Sequence, residues 1–486
     1  MVSSTRLPRL SSLRVELPLR RIVGIAFLTG WIGLYAQQLT GTHDITGTSA
    51  FNPSGGQFAT IKEAFDSLRS RGVGTGGVIF VVQESWRTTN SSSGRDAEPP
   101  TIPLSTYPGA GPGNPVTLTF AGLADTVYFA KGPDPTAGNR FIFRFTGSVK
   151  YFTLDGAGKL ILKSTTSTTG GSNPSGTNTG LIGFVSVTTP SSLDLDIDAI
   201  TIKNVVMHGS GRGTTFSGVY IGQDASLTAG TVSTGSTISA ITIEGCTIDS
   251  VSRPILVAGR RANTQNIRVI QDTLGNPTDP TAWAATSNIG AVHLRGVQNP
   301  IVQRCIVHGE TSDKRSIAGI RLDSCENFTI TQNWVYNIQY FSFGQPQGYG
   351  SYGIYIALPS TFIGSPVNNV VSHNMLAGLS GDGDVVSFPS YIPAGIFVEA
   401  TSGSISNARL ALIHNSIHLF GSNDPGFFAR YTGSSAGIAI SARVQGGVKI
   451  DGNLIQNTFN AIGSDTAYGL VIAADNPSGF DINYNQ

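Results

Sequence analysis

Tyr220, His293, Arg321, Tyr355, Phe397 and Ala439 each stand two residues after a small residue that opens a short alternating apolar stretch. Gly222, Arg295, Asp323, Ala357, Glu399 and Ser441 follow two residues further on. Strand side chains alternate between faces, so both sets are expected on one outward face. Aromatic rings stack on sugar faces and Arg grips carboxylates in two-point fashion, so Tyr220, His293, Arg321, Tyr355 and Phe397 make a candidate binding strip for a polysaccharide or cell-surface glycan. Asp323 and Glu399, with Arg295 and Arg321, are a weaker catalytic candidate. Two coils of a stacked sheet would separate the carboxylates by roughly 9 to 10 Å, near the upper limit for an inverting glycosidase pair. A plainer reading stands beside these: exposed strand faces commonly carry such residues, and Arg295 would simply pair with Asp323 across one coil.

Other chemistry is thinner. Asp194, Asp196 and Asp198 alternate on one strand, and Asp382 and Asp384 lie in a glycine-flanked loop. Carboxylate groups of this kind can hold calcium, but neither stretch has the helix-loop-helix pattern, and solvated strand edges are the favoured reading. No metal ligand is assigned and no cofactor is expected, calcium being weakly supported. Gly74–Gly77 and Gly209–Gly213 lack the context of a phosphate loop and read as turns. There is no GxSxG elbow, and the 3 cysteines include no CxxC pair.

The elements that would position these residues repeat. A six-residue phrase, with an aliphatic or Thr first, Asn, Cys or Asp fourth and an aliphatic last, recurs at Thr201–Val206, Ile243–Ile248, Val269–Leu274, Val302–Val307, Ile330–Val335, Val371–Leu376, Leu412–Ile417 and Ile450–Ile455. The fourth positions are Asn204, Cys246, Asp272, Cys305, Asn333, Asn374, Asn415 and Asn453, spaced 26 to 42 residues apart, within the range of solenoid repeats. Between copies lie the stretches opening at Gly218, Ala291, Gly319, Gly353, Gly395, Gly437 and Gly469. Two or three short strands per turn, wound one way, give a parallel β-helix with like residues laddered up its axis. Asn at the repeated bend is expected to bond to the next coil and to take the left-handed conformation. Cys246 and Cys305, with Asp272 between them, would be too far apart for a disulfide and read as buried thiols. Ile482–Asn485 opens another copy, so the chain looks cut mid-coil.

Ahead of the array, Phe58, Ile61, Phe65 and Leu68 share one helical face, with Thr60 and Glu63 as a capping box and Gly72 as the stop. A strand follows at Gly77–Val82, and the pair is read as an N-terminal cap. Further upstream, the apolar run Ile22–Leu34 after Arg20 and Arg21 reads as a secretory signal peptide ending near Ala36, too short to span a bilayer. The organisation is therefore 1–36 signal peptide, 37–150 cap and first coils, and 151–486 repeats. The 31 basic and 30 acidic residues give +1; without residues 1–36, 26 basic and 29 acidic remain, a charge of −3 that offers nucleic acid no basic field.

These repeats resemble the right-handed parallel β-helix (pectin lyase-like) superfamily of pectate lyases, polygalacturonases and pectin methylesterases over residues 150–486. The block Phe58–Arg87, with Thr60-Ile-Lys-Glu-Ala-Phe65, is similar to the N-terminal cap of pectin methylesterases and related secreted bacterial β-helix proteins. The resemblance implies an all-β right-handed solenoid with a short N-terminal capping helix, and glycans as the substrate class. The QAVAL, DFIFG and LGRPW motifs of the methylesterases are missing, as are the DD, GHG and RIK motifs of polygalacturonases and the RxPxxR motif of pectate lyases. The nearest histidine motif is His208-Gly-Ser-Gly211, so no catalytic residue is carried over. The expectation is a secreted or cell-surface protein of the bacterial envelope that binds a glycan or a surface without catalysis and has no transmembrane segment after signal cleavage. A divergent polysaccharide lyase or glycoside hydrolase is the alternative.

Overall fold

The computed structural model describes residues 37–47, 56–84, 86, 101–103, 107–122, 127–131, 141–164, 179–186, 194–211, 215–223, 231–275, 290–309, 311–312, 317–340, 350–364, 367–381, 389–420, 434–459, 466–475 and 479–486. The expected signal peptide and Asp382 and Asp384 lie outside them.

Among the described residues the strands form three parallel sheets of 14, 11 and 11 strands. Each coil visits them in turn: Thr329–Thr331 in the first sheet, Trp334–Tyr340 in the third, Ser351–Leu358 in the second, then Asn369–Ser372 back in the first. Pairing is in register from coil to coil, as in Ile200↔Ile241, Met207↔Ile248 and Ile221↔Val257. These residues are buried, and one apolar core runs along the three inner faces. Where the third sheet approaches the second, little room remains: a Cβ on Gly319 would lie 2.3 Å from Val335 Cγ1, and one on Gly437 would lie 2.2 Å from Ile455 Cγ2. This crowding is why the second-sheet stretches so often open on a small residue.

The six-residue phrase spans the bend between first and third sheets. Lys203 pairs with Glu244, so Val205, not Asn204, shares the position of Cys246. The true ladder is Val205, Cys246, Asp272, Cys305, Asn333, Asn374, Asn415, Asn453 and Asn485. Its residues are not left-handed, contrary to expectation. The residue before each one is: Asn204, Gly245, Gln271, Arg304, Gln332, His373, His414, Gly452 and Tyr484 have φ between 48° and 63°. The ladder asparagines instead point inward and spend both amide ends on neighbouring coils. Asn374 Oδ1 accepts from Asn333 N at 3.0 Å and from Asn333 Nδ2 at 2.9 Å, while Asn374 Nδ2 donates to Ile330 O at 3.0 Å. Cys246, Cys305 and Cys325 are free and buried, and burial pushes the Cys305 thiol up to about 12.

The helix spans Ile61–Arg71. Thr60 Oγ1 accepts from Glu63 N at 3.1 Å, and Glu63 Oε2 accepts from Ala59 N at 2.9 Å, so the box closes one residue further back than in the usual pattern. Gly72, at φ 79°, donates to Leu68 O and ends it. Ile61, Ala64, Phe65 and Leu68 are buried, with the Phe65 ring 5.5 Å from Phe80 and 6.1 Å from Phe152, over inner-face residues of the first sheet. No helix among the described residues is long and apolar enough to cross a membrane.

Candidate functional site

The outward row of the second sheet runs Tyr220–Leu256–His293–Arg321–Tyr355–Phe397–Ala439–Val471. Its register is as expected, with one strand added, Arg253–Ala258, which carries Pro254 at the position of Gly218 and so hid from a search for small openers. The expected exposure is wrong. Tyr220 and Phe397 are fully buried, and His293, Arg321 and Tyr355 are 3–5% exposed. Rings lie on one another along the row, Phe141 on Tyr220 two coils away at 6.0 Å and Tyr352 on Phe397 of the next coil at 5.1 Å. Chain from the turns covers them: Ile392 is buried in the cluster with Tyr352, Tyr355 and Phe397, and Tyr352 donates its hydroxyl to Ser390 O. Tyr220 and Phe397 thus belong to separate apolar clusters and form no open strip.

Asp323, Glu399, Arg295 and Arg321, by contrast, come together. They line one cleft of about 530 Å³, joined by Arg260 and Arg261. Asp323 and Glu399 are two coils apart, through Ala357. Arg295 is the register neighbour of Asp323. The close partners of Asp323 Oδ2 are nonetheless its other neighbours: His293 Nε2 at 2.8 Å and Arg321 Nε at 3.0 Å. The Arg321 guanidinium also lies over the Tyr355 ring, and Tyr355 donates its hydroxyl to Glu399 Oε1. A single line of contacts therefore runs His293–Asp323–Arg321–Tyr355–Glu399 across four coils.

The electrostatics separate the two carboxyls. Burial would raise Asp323, but the Arg321 charge and the hydrogen bonds from His293 and Arg321 outweigh it and hold the carboxyl well below the usual range. Burial raises Glu399, and the Tyr355 hydrogen bond and Arg321 only partly oppose it. Burial also lowers His293 to about 4 against the pull of Asp323. Near neutral pH the cleft holds an ionised Asp323, backed by a neutral His293, and a Glu399 poised closer to protonation. His293 Nδ1, Arg321 Nη1 and Asp323 Oδ1 are buried without a hydrogen-bond partner.

Sequence reasoning missed Arg260, Arg261 and Glu326. The arginines belong to the turn after the overlooked strand, where Arg260 Nε donates to Val232 O at 2.7 Å. Glu326, 1% exposed, accepts from Ile363 N at 2.8 Å, Gly364 N at 3.0 Å and Arg261 Nη1 at 3.5 Å, and so fixes the segment that brings Ile363 to the cleft wall. The pairing of buried Glu326 with Arg261 becomes visible only once the coils are stacked.

Of the carboxylates considered for calcium, three meet neighbouring side chains. Asp194 accepts from Ser233 Oγ at 2.5 Å, Asp196 pairs with Lys150 at 2.6 Å, and Asp198 accepts from Ser239 Oγ at 2.6 Å. His208 Nδ1 lies 2.9 Å from Asp249 Oδ2 across one coil of the third sheet, away from the cleft.

With in-register parallel coils established, comparison of the sequence with protein families agrees: residues 194–387 match the family described as right-handed beta helix region. The chain is a right-handed parallel β-helix. The matched span of the β-helix includes Arg260, Arg261, Arg295, Arg321 and Asp323, whereas Glu399 lies beyond it. No curated protein matches the chain.

Proposed function

We propose that this β-helix binds an anionic saccharide in the cleft on its second sheet, outside the cell and without changing the saccharide. The supporting observation is the concentration of Arg260, Arg261, Arg295 and Arg321 around one concavity of about 530 Å³, against only two lining carboxylates, of which Glu399 is raised toward neutrality. Guanidinium groups bind carboxylate or sulfate at two points, and Arg321 Nη1, buried and unpartnered, is a donor in want of such a group. The fold itself favours no activity, so the weight rests on the cleft. This keeps a glycan as the ligand and moves its site from an open aromatic strip to a charged pocket.

The test is titration calorimetry of residues 37–486 with oligomers of uronic acids, sulfated sugars and neutral sugars. Binding confined to the anionic sugars, weakened more than tenfold in Arg295→Ala, supports the reading. Equal binding of neutral sugars, or none on any member, rejects it.

The separated carboxyls favour one second reading, glycoside hydrolysis. Glu399 would protonate the leaving oxygen, and ionised Asp323 would take the proton of the attacking water. Release of reducing ends that is abolished in Glu399→Gln but retained in Tyr220→Phe would establish hydrolysis in place of simple binding.

A further inference from the structure

Every inward rung of the ladder from Cys246 on, Asp272 aside, gives a hydrogen to the same backbone atom, the carbonyl oxygen three residues before the preceding rung. Asn333 Nδ2 donates to Val302 O at 3.0 Å, Asn374 Nδ2 to Ile330 O at 3.0 Å, Asn415 Nδ2 to Val371 O at 3.0 Å and Asn453 Nδ2 to Leu412 O at 2.8 Å. The cysteines obey the same rule, Cys246 Sγ toward Ile202 O at 3.8 Å and Cys305 Sγ toward Val269 O at 3.5 Å. Asp272 is the exception in chemistry. Its Oδ1 accepts from Cys246 N at 2.7 Å, as an Asn Oδ1 would, so its Oδ2 takes the place of the Asn nitrogen. By the ladder rule that atom faces the carbonyl of Ile243. Asp272 is fully buried and its Oδ2 has no partner.

Two oxygens without a hydrogen between them repel, and a buried carboxylate lacking donors is costly. We propose that Asp272 is a neutral carboxylic acid that donates its proton from Oδ2 to Ile243 O, and that its ionisation is a pH-sensitive weak point in the middle of the β-helix.

The surroundings agree. The ionisable groups facing Asp272 are Glu244 on the preceding coil and the thiols of Cys246 and Cys305 on the coils either side, none of them a cation. Burial pushes its pKa up to about 7, against the hydrogen bonds from Cys246 and Ile270, and Glu244 pushes it further the same way. An acid whose pKa is raised on folding binds more protons folded than unfolded. Its contribution is complete below the unfolded value near 4 and is lost as pH rises toward 7.

Asp272→Asn tests this with a residue that five other rungs already use. The melting temperatures of wild type and variant should draw apart as pH rises from 5 to about 8, the variant being the more stable at the upper end. The protonated-carboxyl stretch in the infrared at pH 5 should lose one component in the variant. A melting-temperature difference that is constant across this range, or a wild-type spectrum at pH 5 identical to that of the variant, would overturn the proposal.

Discussion

The guanidinium of Arg321 lies 3.9 Å from the centre of the Tyr355 ring, one coil away in register. That single contact joins the ion pair on one side of the cleft to the hydrogen-bonded carboxyl on the other, because Arg321 also binds Asp323 and Tyr355 also binds Glu399. Removing the cation takes from buried Asp323 the charge that does most to hold it ionised. Arg321→Met is expected to cost about 3 to 5 kcal/mol in urea denaturation, as breaking a buried pair does. Arg321→Lys, which keeps the charge but not the planar stack, should recover only part of this.

Tyr355→Phe deletes the hydrogen bond to Glu399 and little else. That bond favours the ionised carboxyl, so its loss should raise the Glu399 pKa beyond its already elevated position. Carbon-detected titration of the Glu399 carboxyl reads this directly. A downward shift would show that the hydroxyl does not stabilise the carboxylate.

Acid should loosen the site from two groups at once. His293 has a folded pKa near 4, below its ordinary 6.5, so the folded state resists taking up its proton and stability falls as pH drops from about 6.5 to 4. Asp323, depressed by Arg321 and His293, adds stability above about 4 that is lost as pH falls further. Asp272 opposes these two groups, because its contribution grows as pH falls, so the effect is read in Asp272→Asn, whose thermal melts at pH 7, 5.5 and 4 should decline in order. His293→Gln should flatten the step between the first two.

The ladder should be far more sensitive than the surface it resembles. Asn374→Ala strips an acceptor from Asn333 and a donor from Ile330 O inside the core, and about 3 kcal/mol or more is expected. Asn327 belongs to a second, outer row in which its Nδ2 donates to Asn299 Oδ1 at 2.6 Å, in reach of solvent. Asn327→Gly, which keeps the left-handed backbone easy, should cost less than about 1 kcal/mol in the same assay.

Glu326→Ala would release Ile363 N, Gly364 N and Arg261 together. Proteolytic cutting near Ile363, already 57% exposed, should quicken several-fold while the melting temperature of the remaining coils changes little. If the saccharide reading holds, affinity falls in the same variant.

The repeat was legible because a solenoid imposes the same inside-outside alternation on every coil, and residues such as Ile202, Ile243 and Val269 obey it. Ladder register was legible except at the first rung. There the tempting Asn204 is the left-handed residue, and an apolar Val205 fills the inward place. The outward row was read in the right order but with the wrong surroundings. Alternation says which side of a sheet a residue is on, and it is silent about what the turns lay over that side, as Ile392 lies against Phe397. The cleft was half visible: Arg295, Arg321, Asp323 and Glu399 come from strands, whereas Arg260, Arg261 and the span brought in by Glu326 come from turns that follow no period.

The amide-to-amide bonds of the ladder all run in one sense: Asn333 Nδ2 to Asn374, Asn374 to Asn415, Asn415 to Asn453 and Asn453 to Asn485, each at 2.9 to 3.0 Å. Donor and acceptor alternate without reversal through five buried or half-buried side chains, so their dipoles add along the axis and each bond polarises the next. The β-helix is thus electrically directional even where its net charge is small. A substitution at one amide is felt by its neighbours up and down the stack, as a break in a row of aligned magnets is felt by the whole row.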